Sequence, residues 1–225
     1  MGEAIGHVLP LAVGVALSPV PIIAVVLMLT TPKARVNGPA FVLGWVVGLA
    51  VVGAVVLLVA GSGADDVDGK PAAWASWLKL VLGALLLLVA VKQFRGRPGP
   101  DEQPVMPGWM DAVDRFTSVK AMATGLLLAG ANPKNLLLAV SAATTVAQTG
   151  IAGGAQVVAY AVFAVIATLG VGAPVVVHLA LGARAAEVLA HLKEWMSRNN
   201  AVIMSVLCLV LGVKLVGDAI GGLTG

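Results

Sequence analysis

The sequence predicts an all-α integral membrane protein of six transmembrane helices, built as two inverted three-helix repeats with helices one and four broken at proline. Three observations point there. Of 225 residues, 59% are hydrophobic and 11% charged, about half the charge of a soluble domain, and the mean hydropathy is +0.99. Several uncharged runs are long enough to cross a bilayer. The same short motifs also recur in both halves of the chain. The composition excludes a water-soluble globule, a disordered chain and a disulfide scaffold. The net charge of +3 does not indicate a nucleic-acid binder, because the basic residues fall between the apolar runs.

A helix needs about 20 apolar residues to cross the hydrocarbon core. Residues 8–32 carry no charge over 25 positions, 36–64 none over 29, and 135–183 none over 49 apart from the histidine His178, so the last run holds most of two spans. Two shorter runs, 80–91 and 199–213, are flanked by Lys79 and Lys92 and by Lys214, whose stems lengthen a span by snorkelling. The expected helices are 5–30, 38–61, 74–94, 119–147, 154–182 and 200–219. The expected organisation is a first repeat over 1–94, a linker with an interfacial helix over 95–118, and a second repeat over 119–225. Glu3 and the lack of a basic leader argue against a cleaved signal peptide.

Lysine and arginine counts set the orientation. The loops after helices one, three and five hold ten basic residues and the other side three, beside an acidic cluster of Asp65, Asp66 and Asp68. Both termini are therefore expected outside the cell, with the large central loop cytoplasmic.

The two halves carry matching marks. Leu17-Ser18-Pro19-Val20-Pro21 in helix one corresponds to Ala131-Asn132-Pro133-Lys134-Asn135 in helix four, each a small polar residue followed by proline in mid-span. Leu78-Lys79-Leu80-Val81-Leu82-Gly83 corresponds to Leu207-Cys208-Leu209-Val210-Leu211-Gly212. A repeat with an odd number of spans must insert in opposite senses. Proline removes a donor and disrupts the helix ladder, and broken backbone survives in lipid only inside protein or beside a water-filled cavity. Paired proline-interrupted segments in inverted halves point to a transporter's substrate site.

Lys134 sharpens this, since a lysine at membrane depth costs at least about 2.5 kcal/mol on insertion scales. With Asn132 and Asn135 it suits a phosphate, sulfate, carboxylate or sugar headgroup; alternatively, a later start of helix four lets it reach an interface. The candidate substrate-binding residues are Ser18, Pro19, Pro21, Asn132, Pro133, Lys134, Asn135 and, late in helix five beside Pro174, His178. Three scattered histidines and one cysteine make no metal cluster, so no metal or cofactor is expected. No Walker A motif is present. The hydroxyls of Ser18 and Ser141 leave membrane-embedded enzymology open, without a nucleophile–base pair. Gly44-Trp45-Val46-Val47-Gly48 permits close helix contact, within the chain or in a homodimer. Met106, Trp109, Met110, Val113 and Phe116 make one helical face, with Asp111 and Arg115 paired; 183–198 carries a similar face in Val188, Leu189, Leu192, Trp195 and Met196. Both segments are expected to anchor at the cytoplasmic interface.

The chain resembles the GAP family of actinobacterial membrane proteins, also called sulfolipid-1 or peptidoglycolipid addressing proteins, within the lysine-exporter (LysE) superfamily. The resemblance rests on Leu9-Pro10-Leu11, on Ala16-Leu17-Ser18-Pro19-Val20-Pro21-Ile22-Ile23-Ala24, on Ala40-Phe41-Val42-Leu43-Gly44-Trp45, on Asn132-Pro133-Lys134-Asn135-Leu136, and on the approach from Trp109 to Asp114. It covers nearly the whole chain. The resemblance implies a six-helix plasma-membrane transporter that moves cell-envelope glycolipids or their precursors outward. Its partners would then be membrane lipids, an anionic or glycosylated lipid substrate and a larger lipid-export machinery. Export of amino acids or other small solutes and lipid modification by an embedded enzyme are the alternative functions.

Overall fold

A computed structural model describes residues 1–62, 73–97 and 108–224. Asp65, Asp66, Asp68, Lys70 and the linker stretch 98–107 lie outside the described residues, as does the Asp111 side chain expected to pair with Arg115. Among the described residues the chain is helical, with no strand: α1 (Gly2–Ala16), α2 (Pro19–Leu29), α3 (Ala34–Ser62), α4 (Ala73–Arg95), a 3-10 helix (Gly108–Arg115), α5 (Ser118–Gly130), α6 (Pro133–Gln148), α7 (Gly153–Leu181), a 3-10 turn (Gly182–Arg184) and α8 (Ala185–Thr224).

Four helical stretches are long and apolar enough to cross a membrane: Ala34–Ala60, Ala75–Arg95, Gly153–Leu181 and Ala185–Thr224. Two further stretches reach that length only as bent pairs, α1 with α2 at 51° and α5 with α6 at 62°. The chain therefore has four to six candidate spans, the upper figure counting each bent pair as one. Pro19 and Pro133 occupy the first positions of α2 and α6, where a missing N–H costs nothing and the fixed φ suits a new helix. Pro10, Pro39 and Pro174, by contrast, lie inside α1, α3 and α7.

The helices approach one another at glycines. A methyl group at Gly44 would strike the Met122 carbonyl, one at Gly125 the Phe41 carbonyl, and one at Gly170 the Ala16 carbonyl. Only a residue without a Cβ lets backbones pass this closely. Gly44 and Gly48 thus serve contact between α3 and α5 within the chain, which accounts for the GxxxG motif. The recurring Gly83 and Gly212 meet where α4 crosses α8: an added Cβ on either would lie 3.0–3.1 Å from the other's carbonyl oxygen. Phe41, Trp45, Phe163, Leu11 and Leu138 fill the centre. Valines and leucines of α3, α4, α7 and α8 remain exposed around the outside, as in Leu58, Leu88, Val165 and Val210, the pattern of a surface solvated by lipid.

Three expectations change. The segment expected to form an interfacial α-helix before helix four is a 3-10 helix, and it buries Met110 and Val113. The 183–198 segment is not a separate interfacial helix but the opening of the 40-residue α8, about 60 Å long, roughly twice the hydrocarbon thickness. No proline interrupts 185–224, so the ladder continues; Leu189 and Met196 turn inward while Val188 and Trp195 stay exposed. Lys79, expected at a snorkelling helix end, is only 7% exposed, and its charge interacts with Asp218 and Lys214, themselves an ion pair on α8.

Gly170→Ala should destabilise the fold by about 1–3 kcal/mol through overpacking, read as a lower Tm in detergent. Gly172→Ala, whose Cβ would sit 3.8 Å from Thr168, should leave Tm nearly unchanged.

Candidate functional site

The two helix breaks leave main-chain carbonyls without their usual donors. At the first break, the Leu17 amide donates to Val13 and the Ser18 amide to Val15, so Gly14 O receives neither. At the second, the amides of Ala131 and Asn132 both donate to Leu127, so Leu128 O is likewise passed over. An unpaired carbonyl in an apolar interior costs several kcal/mol, on the order of 2–7.

The Asn-Pro-Lys-Asn segment supplies both missing donors. Lys134 Nζ donates to Gly14 O at 2.7 Å and Asn135 Nδ2 donates to Leu128 O at 2.9 Å. Ser18 Oγ then donates to Asn135 Oδ1 at 2.7 Å, joining the two breaks directly. Ser18, Lys134 and Asn135 are all buried. Neither Ser18 nor Asn132 caps its own helix with its side chain, because the Ser18 hydroxyl is committed across the junction.

Electrostatics make Lys134 unusual. It is 2% exposed, and among the described residues no carboxylate lies within ion-pair distance of it. Its ammonium sits at the last turn of α1, where the helix dipole favours a cation, but at the second position of its own helix, where the dipole opposes one. Only one of its three donors is used by the protein. The alternative of a later helix start is met in one respect, since α6 does begin at Pro133. Lys134 nevertheless points into the bundle rather than to an interface.

The structure brings Ser18, Lys134 and Asn135 together, with Pro19 and Pro133 at the first positions of α2 and α6 beside them. Pro21 is buried in the first turn of α2, where it removes one more amide. His178 is not part of the cluster: it lies half-buried on α7, eight residues beyond the Gly170–Ala16 contact, about 12 Å along the axis. Ser141 Oγ donates to Leu137 O at 2.7 Å, and Ser18 to an amide oxygen, so neither hydroxyl donates to a proton-accepting base. No group of three or more potential metal ligands exists among the described residues. The participants that sequence reasoning missed, Gly14 and Leu128, act through main-chain oxygens, which side-chain identity does not flag.

A groove lies between α3 and α7. Its volume is about 830 Å³, and Val46, Gly53 and Leu57 face Val165, Leu169 and Val176 across it. On its wall the Tyr160 ring packs on Gly53 and its hydroxyl donates to Leu49 O at 2.9 Å. The lining runs along α7 through Thr168, Leu169 and Gly172, whereas Gly170, which touches Ala16 at the first break, lies on the other face of the same turn.

These features define a multi-pass helical membrane protein with a buried polar junction between two bent helix pairs. The chain belongs to the family described as Sap, sulfolipid-1-addressing protein, which matches residues 8–221, in agreement with the resemblance drawn from the sequence. No curated protein and no solved structure matches it.

Asn135→Leu should cost about 1–3 kcal/mol by stranding Leu128 O and lower Tm. Lys134→Met strands Gly14 O but also removes a desolvated charge, and the two effects oppose, so Tm should fall less than in Asn135→Leu; an equal or larger fall would make Lys134 a structural residue first.

Proposed function

We propose that the chain is a secondary transporter of the lysine-exporter superfamily in the bacterial plasma membrane, moving an anionic or glycosylated envelope lipid, or its precursor, outward. The observation that carries this reading is Lys134: a deeply buried ammonium bonded to a single carbonyl. A cation held in this way at membrane depth is a functional-site hypothesis by default, and the remaining donors suit a phosphate, sulfate or sugar headgroup. The α6 N-terminus adds its dipole to the same point. The family's printed description, which names sulfolipid-1, accords with an anionic lipid.

The α3–α7 groove favours a lipid over a small solute. A small-solute carrier needs a compact midplane chamber, whereas a lipid mover needs an apolar route to the bilayer beside its headgroup site. This groove is within the usual range of ligand pockets, roughly 300–1,000 Å³, and its walls are mostly valine, leucine and alanine.

Alternating access would follow from two inverted halves, α1–α4 and α5–α8 with both termini outside. Helix pairing supports this symmetry. Exchanging the halves turns the contact of α3 with α5 at Gly125 into that of α7 with α1 at Gly170, and it maps the Gly83–Gly212 crossing of α4 and α8 onto itself. In each half the prolines break a helix, and the freed backbone and amides orient the ligand.

Native mass spectrometry with lipidomics tests the reading on protein purified in mild detergent from its own host. Wild type should retain a specific anionic or glycosylated lipid that Lys134→Ala loses while still inserting in the membrane. Equal retention by both would remove Lys134 from the site, and absence of any enriched lipid would shift the reading to small-solute export.

A further inference from the structure

The polar character of α6 does not end at the junction. At about 100° per residue, Lys134, Ser141, Thr145 and Gln148 fall within about 60° of one another and form one stripe about 21 Å long. It runs from the midspan break to the end of α6. Ser141 and Thr145 are completely or almost completely buried, and Gln148 is half-buried. The Thr145 hydroxyl, and that of Thr144 at the stripe's edge, have no hydrogen-bond partner. A helical threonine ordinarily bonds the carbonyl one turn back, as Thr124 and Thr168 do here. Two orphaned hydroxyls on a central membrane helix each cost about 1–3 kcal/mol, so they call for an explanation other than stability.

The covering element is α1. Lys134 reaches Gly14 O, and a methyl on Gly14 would meet Leu138 of α6 and Leu211 of α8; α1 packs along α6, and from Val8 to Ala16 it carries no polar side chain. This contact also differs between the two halves. α1 packs extensively along α6, while its counterpart α5 scarcely touches α2. A rearrangement that exchanged the packing of the two halves would lift α1 from α6.

From the stripe, its orphaned hydroxyls and this asymmetry, we propose that Ser141, Thr145 and Gln148 form the outer lining of the path taken by the polar headgroup of the substrate, with α1 as the gate that covers it. The inference rests on the transport reading above. Lys134 receives the anionic group. The hydroxyls of Ser141 and Thr145 and the Gln148 amide then donate to phosphate, sulfate or sugar oxygens as the headgroup moves outward, and water satisfies them whenever α1 is lifted.

Cysteine accessibility in intact cells tests this in a Cys208→Ala background. T145C should react with a membrane-impermeant thiol reagent about tenfold faster than A143C, which is equally buried on the opposite face of α6, because only the stripe is exposed by opening. Equal or absent labelling of T145C overturns the gate and the path, and leaves intact any loss of lipid retention in Lys134→Ala. Thr145→Val provides a second reading that does not depend on labelling. Removing an unpartnered hydroxyl should hold or raise Tm, yet outward lipid movement in cells should fall about tenfold, as expected if the hydroxyl contributes about 1.4 kcal/mol to the path. A Thr145→Val protein that moves lipid at the wild-type rate overturns the proposal.

Discussion

In a membrane, a backbone carbonyl that loses its helical donor has no water to turn to, and the architecture of this protein is organised around two such carbonyls. Gly14 O and Leu128 O are passed over by their own helices, and both are satisfied from one tetrapeptide segment at the head of α6. The Ser18–Asn135 hydrogen bond then makes each break depend on the other. Two bent helix pairs distant in sequence are thereby fixed as one unit. The close glycine contacts that hold α3 to α5 and α7 to α1 give those pairs a rigid frame.

A lysine is a costly choice for this task. An asparagine amide satisfies Leu128 O without bringing a charge, and a second amide could do the same at Gly14. The ammonium at Lys134 exceeds what a lone carbonyl requires, and its placement at the positive end of its own helix dipole increases the burden. Buried charges of this kind contribute little to stability. Such an excess of charge and donors marks the point as a candidate binding site rather than a structural one.

Most of this was legible in the sequence. Hydropathy located the apolar helices, and the Ser-Pro and Asn-Pro marks fall where α1 gives way to α2 and α5 to α6. Other features were hidden for physical reasons. Periodicity cannot separate an interfacial helix from the exposed opening of a longer one when no breaker stands between them, so α8 was read as two pieces. A single 3.6-residue period fits eight residues of 3-10 helix almost equally well, so 108–115 was read as α. His178 fell in the right span but on a distant turn, because an uncharged run of 49 residues gives no depth scale of its own. Gly14 and Leu128 contribute only main-chain oxygens.

The asymmetry between the halves belongs to the conformation rather than to the sequence. Two halves with matching motifs need not pack identically, and here their contacts differ. Here the difference falls at α1 on α6, against the weaker approach of α5 to α2. The same helix that is covered more closely is the one whose hydroxyls lack partners. A sequence selected for the closed state alone would have placed valine or alanine at Thr144 and Thr145, as it does at Ala142, Ala143 and Val146 around them. Retaining hydroxyls there stabilises a state in which those positions meet water or a ligand, and the closed structure bears the cost.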